Sequence, residues 1–225
     1  MRRELFLLGA LALAAGCGPS RAKMAGAQAT ADVKPAKWGE AFDHWTRSQK
    51  VYDHLETRLI VSTTWENSAF AGAYADEYAR RYVLNDAARE EFRKHQEADA
   101  QSYHTFFLAA YTTESRWNDF SKRNSIWRIR LYDDKGGSVE PLVVNKVKDD
   151  DPVLHEFFPY FTLWTRGYVL KFPKDGLAAD TKTLKLQITS ALGAAELSWD
   201  RAGADQPKME RADAPAPVAA ASPAP

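Results

Sequence analysis

The chain has 225 residues and a formal net charge of zero, with 30 basic and 30 acidic side chains. That balance leaves no electrostatic footprint for nucleic acid and no charge run strong enough to hold a membrane surface. Hydrophobic residues make up 45%, including seven Trp, nine Tyr and eleven Phe, which suits one globular domain with a real core plus tails.

Met1-Arg2-Arg3-Glu4 precedes an apolar run from Leu5 to Ala15, and Gly16-Cys17 follows. A basic start, a short apolar stretch and small residues before a cut site make a secretory signal over residues 1–16. The run is shorter than the roughly 20 residues that span a bilayer. Leu13-Ala14-Ala15-Gly16-Cys17 resembles the lipobox of bacterial lipoproteins, with Ala14 where leucine is commonest. The resemblance implies cleavage before Cys17, diacylation of its thiol and attachment to a cell-envelope membrane through that lipid. Gly18 stands where aspartate favours inner-membrane retention in the enteric system, so the resemblance points to the outer membrane. Arg2-Arg3-Glu4-Leu5-Phe6 is also similar to a twin-arginine export signal, with almost nothing before the pair. Cys17 is the one cysteine of the chain, so the mature domain has neither a disulfide nor a thiol nucleophile.

Residues 17–37 carry the anchor and then an Ala-, Gly-, Ser- and Lys-rich tether without hydrophobic period. Residues 202–225 end in an Ala/Pro-rich tract that buries too little apolar surface to order itself. The globular domain is therefore expected over residues 38–201. Trp38, Phe42 and Trp45 recur at helical spacing, which predicts one short helix over 38–50. Leu59, Val61, Thr63 and Trp65 alternate as in a strand. Phe70, Tyr74, Tyr78 and Tyr82 fall at i+4 steps on one helical face, an aromatic strip that reads as core. Asn85 suits the N-cap of a second helix over 86–100.

Residues 103–111 are apolar on both faces, as in a buried central strand. Further strands are predicted at 127–131, 139–147, 168–172, 184–188 and 195–199 by alternation, with an Asp133-Asp134-Lys135-Gly136-Gly137 turn between two of them. About seven strands with intervening turns predict a mostly β protein, an antiparallel β-sandwich with a helical segment packed on it. An α+β fold with helices across a single sheet is the alternative.

No cofactor signature is present. His155-Glu156 opens like a zinc-protease helix, but Pro159 occupies the place of the second histidine. Glu91, His95 and Asp99 share a helical face that suits either a divalent cation or a solvated charged surface. Asp149-Asp150-Asp151 and Asp133-Asp134 gather carboxylates on loops, either for a hard cation such as calcium or as ordinary Asp-rich turns. His104, with Glu114, Arg116 and Asp119, forms a catalytic or an ion-paired group only if the fold unites them.

Phe157, Phe158, Tyr160, Phe161 and Trp164 crowd one segment. They read either as a partner surface for glycan, lipid or protein, or as a buried connector between strands. The leading functional expectation is a non-catalytic envelope module that contacts an envelope protein or polymer. A hydrolase using His and carboxylate chemistry, and a carrier of a small lipid or sugar, are the alternatives.

Overall fold

The computed structural model describes residues 36–202 and Ala204. The signal, Cys17, most of the expected tether and nearly all of the 202–225 tail lie outside the described residues. The protein is mostly β: the described residues form nine strands in two antiparallel sheets, together with four α-helices. None of these helices is long and apolar enough to cross a membrane.

Helix α1 (Ala36–Trp45) leads into the hairpin β1 (Thr46–Asp53) and β2 (Glu56–Trp65). Two helices follow, α2 (Ser68–Arg81) and α3 (Asp86–Ser102), then strand β3 (Tyr103–Thr112). After a 3-10 turn come β4 (Arg128–Asp133), β5 (Ser138–Val139) and β6 (Val143–Lys146). The chain closes with α4 (Pro152–Phe157), β7 (Arg166–Pro173), β8 (Thr183–Ser190) and β9 (Gly193–Asp200). One sheet has the order β1-β2-β3-β7-β6 and the other β5-β4-β8-β9.

The register of the larger sheet explains its burial. Leu59, Val61, Thr63 and Trp65 of β2 lie opposite Thr112, Ala110, Leu108 and Phe106 of β3, so they share one face. Leu170 and Tyr168 of β7 continue that face. It packs on Leu131, Leu186, Leu197 and Trp199 of the smaller sheet, with the Phe106 and Trp199 rings 5.2 Å apart. The other face of β3 carries Thr105, Phe107 and Ala109 and lies under the helices and Phe158. Strand β3 is thus covered on both sides, as its unbroken apolar run requires. The smaller sheet is covered on one side only, and Arg128, Arg130, Glu196 and Ser198 on its far face are exposed.

The two sheets meet along β1 and β9. Arg47 Nε donates to the Ser198 carbonyl at 3.0 Å, and Gln49 Oε1 accepts from the Glu196 amide at 2.6 Å. The Trp199 indole donates to the Trp45 carbonyl at 2.7 Å. Arg47 and Gln49 of β1 thereby occupy backbone groups of β9 that an open sheet edge leaves free, while Trp199 reaches back to the end of α1.

Two local expectations need revision. The helix foreseen to residue 50 stops at Trp45, and Thr46 starts a strand. Pairing with β2 outweighs the helical spacing there: Thr46 and Ser48 bond through their hydroxyls to Thr64 and Ser62, each at 2.7 Å. The strand foreseen over 139–147 is two strands in different sheets, β5 and β6. Pro141 between them has no N–H for a ladder, and Leu142 restarts pairing by donating to the Lys171 carbonyl at 2.8 Å. Ala204, beyond β9, is buried, and its carbonyl accepts from the Ala69 amide.

The helical region follows its sequence closely. Asn67 caps α2 by accepting from Phe70 N, and Asn85 caps α3 by accepting from Ala88 N. The aromatic strip of α2 is core at one end, with Phe70 buried, and solvent-facing at the other, with Tyr82 exposed.

Candidate functional site

Strand β2 ends at Trp65, Glu66 and Asn67 follow it, and alternation decides what each residue does. Trp65 faces the space between the sheets, stacked on Phe106 at 6.1 Å. Asn67 is consumed by the α2 cap. Glu66 keeps the ladder going, its amide donating to the Thr105 carbonyl at 2.9 Å, and its side chain turns to the helical side. There it lines a cavity of about 200 Å³ between the outer face of the larger sheet and helices α2, α3 and α4. Phe70, Tyr74, Phe107 and Phe158 supply aromatic walls, and Gln96 and Asp99 supply polar groups.

The charges in this cavity are unequally satisfied. Asp99 is paired with Lys171 of β7 and also accepts from the Thr105 hydroxyl at 3.2 Å. Among the described residues, no hydrogen-bond donor or cation is paired with the Glu66 carboxylate. Burial first, and the neighbouring Asp99 second, push the Glu66 carboxyl up to about 7, with Lys171 opposing them. The Tyr74 hydroxyl is driven well above its ordinary value, mainly by burial and then by Glu66, so it stays a neutral hydroxyl. An unpaired, half-enclosed carboxylate among aromatic rings is the most chemically distinctive group in the described chain.

Comparison with protein-family models, curated proteins and solved structures finds no match.

The aromatic segment after α4 resolves mainly to the connector reading. Phe157, Phe158 and Phe161 are at most 2% exposed, which removes them from a partner surface. Phe158 packs 4.3 Å from Phe107, and Phe157 packs 4.8 Å from Tyr74. Tyr160 is half-buried and bonds through its hydroxyl to Thr64 Oγ1 at 2.7 Å and to the Phe107 carbonyl. Trp164 alone of the five is exposed, at 81%, next to Leu163 at 88%. Their turn is pinned by its own side chains: Thr165 Oγ1 accepts from the Thr162 amide and donates to the Thr162 carbonyl, while Thr162 Oγ1 accepts from the Trp164 amide.

Leu55, in the β1–β2 turn, is also fully exposed. The register puts both tips at one end of the larger sheet, since Leu59 faces Thr112 and Ala110 faces Arg166. That end therefore offers Leu55, Leu163 and Trp164 to solvent.

The remaining candidates are structural in this fold. Both ring nitrogens of His155 face backbone carbonyls, of Phe161 at 2.8 Å and Asp149 at 2.9 Å, so the imidazole braces the 149–161 segment. Asp133 accepts from the amides of Lys135, Gly137 and Ala178, and Asp134 from Lys182. Asp151 caps α4 through the amides of Val153 and Leu154, and Asp149 pairs with Lys146. These are the roles of Asp-rich turns and caps. On α3, Asp99 turns inward to Lys171 while Glu91 and His95 are exposed. Among the described residues no group of three or more metal-ligating side chains gathers. His104 is buried near the start of β3, and Glu114, Arg116 and Asp119 lie past its other end. Asn118, next to Asp119, donates through its side-chain amide to the Ala110 carbonyl at 2.7 Å, so the chain folds back over the far half of β3 from His104.

Glu66 escaped the sequence reading because alternation on β2 and β7 marks its face, with Lys171, as polar. Only the helices laid over that face turn a surface carboxylate into an enclosed one. The available signal was the position itself, an acid wedged between a buried Trp and a helix cap.

Proposed function

We propose that this chain is a bacterial envelope lipoprotein, held in a membrane through lipid on Cys17, whose domain is a non-catalytic module docking on an envelope protein. The exposed Trp164, with Leu163, on a tip rigidified by Thr162 and Thr165 carries the docking part of this reading. Tryptophan concentrates binding energy at interfaces, and a pre-ordered tip loses little entropy when it docks. The lipobox and the absence of aspartate after Cys17 support the envelope location, with the outer membrane favoured. The Thr turn and the aromatic connector beneath it make the tip a fixed presentation rather than a flexible loop.

Metabolic labelling with an alkyne fatty acid, followed by affinity purification, tests the proposal. Label on the chain, lost in Cys17→Ala, and one co-purifying envelope protein, lost in Trp164→Ala, are expected. Unlabelled chain overturns the anchor. Capture of a glycan instead of a protein, or capture unaffected by Trp164→Ala, overturns the docking surface.

A further inference from the structure

The cavity beside Glu66 plays no part in docking through Trp164, and its walls specify a ligand independently of that proposal. Phe70, Tyr74, Phe107 and Phe158 form a connected aromatic wall, with ring centroids 6.2 Å apart for Phe70–Tyr74, 6.3 Å for Phe70–Phe158 and 4.3 Å for Phe107–Phe158. Aromatic faces are electron-rich and attract cations, most strongly where water is excluded. The charged side chains of the lining are two carboxylates, Glu66 and Asp99. Lys171 and Thr105 already engage Asp99, which leaves Glu66 as the group without a counter-charge among the described residues.

An inorganic cation is a poor occupant. Hard cations take six to eight oxygens, whereas most of this lining is carbon. The volume, about 200 Å³, is somewhat larger than the roughly 150 Å³ that accommodates benzene.

We propose that this cavity binds a small organic ammonium ion, its nitrogen against the Glu66 carboxylate and its apolar body, no larger than about a benzyl group, among the four rings. Gln96 and Tyr74 also line the cavity, and a side-chain amide and a neutral hydroxyl can each accept a further N–H group.

The pH response follows from the groups around Glu66. Asp99 on α3 raises its carboxyl, Lys171 on β7 lowers it, and Tyr74 and Tyr160 are neutral hydroxyls nearby. Since the carboxyl titrates at about 7, affinity is greatest above that pH and falls as Glu66 takes up a proton. Between about pH 8 and about pH 5.5 the expected weakening is roughly thirtyfold.

The test is isothermal titration of the purified full chain with benzylammonium and, separately, with neutral benzyl alcohol. Benzylammonium is expected to bind at least about tenfold more tightly than the alcohol at about pH 8, and Glu66→Gln to remove that preference. Ala71→Leu, which fills the cavity from α2, is expected to abolish binding of either compound while the thermal melt confirms folding. Equal affinity for amine and alcohol, a preference that survives Glu66→Gln, binding that survives Ala71→Leu, or no heat up to about 10 mM amine would overturn the proposal.

Discussion

Lys171 gives its ammonium to Asp99, and among the described residues no cation pairs directly with Glu66 on the same side of the larger sheet. One positive charge serves two carboxylates, so one of them must be held at an electrostatic loss.

The first prediction is a stability profile that this loss controls. The Glu66 carboxyl is higher in the folded protein, at about 7, than its ordinary 4.5. A raised acid binds its proton more tightly when folded. Its penalty is therefore absent below about pH 4.5, grows as pH rises toward 7 and is constant above that. Urea titrations of wild type and Glu66→Gln isolate it from other groups. The variant is expected to be more stable at about pH 8 by an amount on the order of 1–3 kcal/mol, with the difference closing near pH 4.5. A constant difference across the range contradicts this.

Buried and exposed members of the aromatic segment should separate cleanly under mutation. Phe158→Ala opens a cavity against Phe107 and Phe70 and is expected to cost about 3–5 kcal/mol. Trp164 stacks on no ring among the described residues, and Trp164→Ala should change stability by no more than about 0.5 kcal/mol. Thermal melts of the two variants check the contrast, and similar losses from both would put Trp164 in the core.

Gly167 permits the approach of the connector to β7. A Cβ there would lie 2.6 Å from Val147 Cγ2, 3.0 Å from Phe161 and 3.2 Å from Phe107. Gly167→Ala is expected to destabilise the domain by about 1–3 kcal/mol through overpacking. A neutral outcome in a denaturant titration would mean that the connector packs more loosely than described.

Removal of the α2 cap links stability to the site. Asn67→Ala leaves the Phe70 amide without its acceptor and is expected to cost about 1 kcal/mol, whereas Asn67→Asp should retain most of the stability. Because Asn67 follows Glu66, the alanine variant should also weaken benzylammonium binding. Unchanged affinity would show that the cap does not position the carboxylate.

How much of this was legible beforehand differs by element. The unbroken apolar run of β3 announced a strand covered on both faces, and Asn85 announced the start of α3, because both are local rules. Thr46 was misread because helical spacing continues through it while its partner, Thr64, is remote in sequence. The split at Pro141 was legible in principle, since a residue without an N–H interrupts any ladder. For Phe157, Phe158 and Phe161, composition fits a surface and a connector equally, and contact with Phe107 and Tyr74 decides between them. Alternation alone puts Glu66 and Lys171 on a polar strand face, and the helices that pack over that face lie elsewhere in the sequence.

The docking proposal is tested most directly by a photo-crosslinking residue placed at Trp164 in cells, with the same residue at exposed Arg130 on the far face of the smaller sheet as control. One envelope protein crosslinked from position 164 and not from position 130 is the predicted result. No crosslink at 164, or the same products from both positions, would contradict a partner surface at that end of the domain.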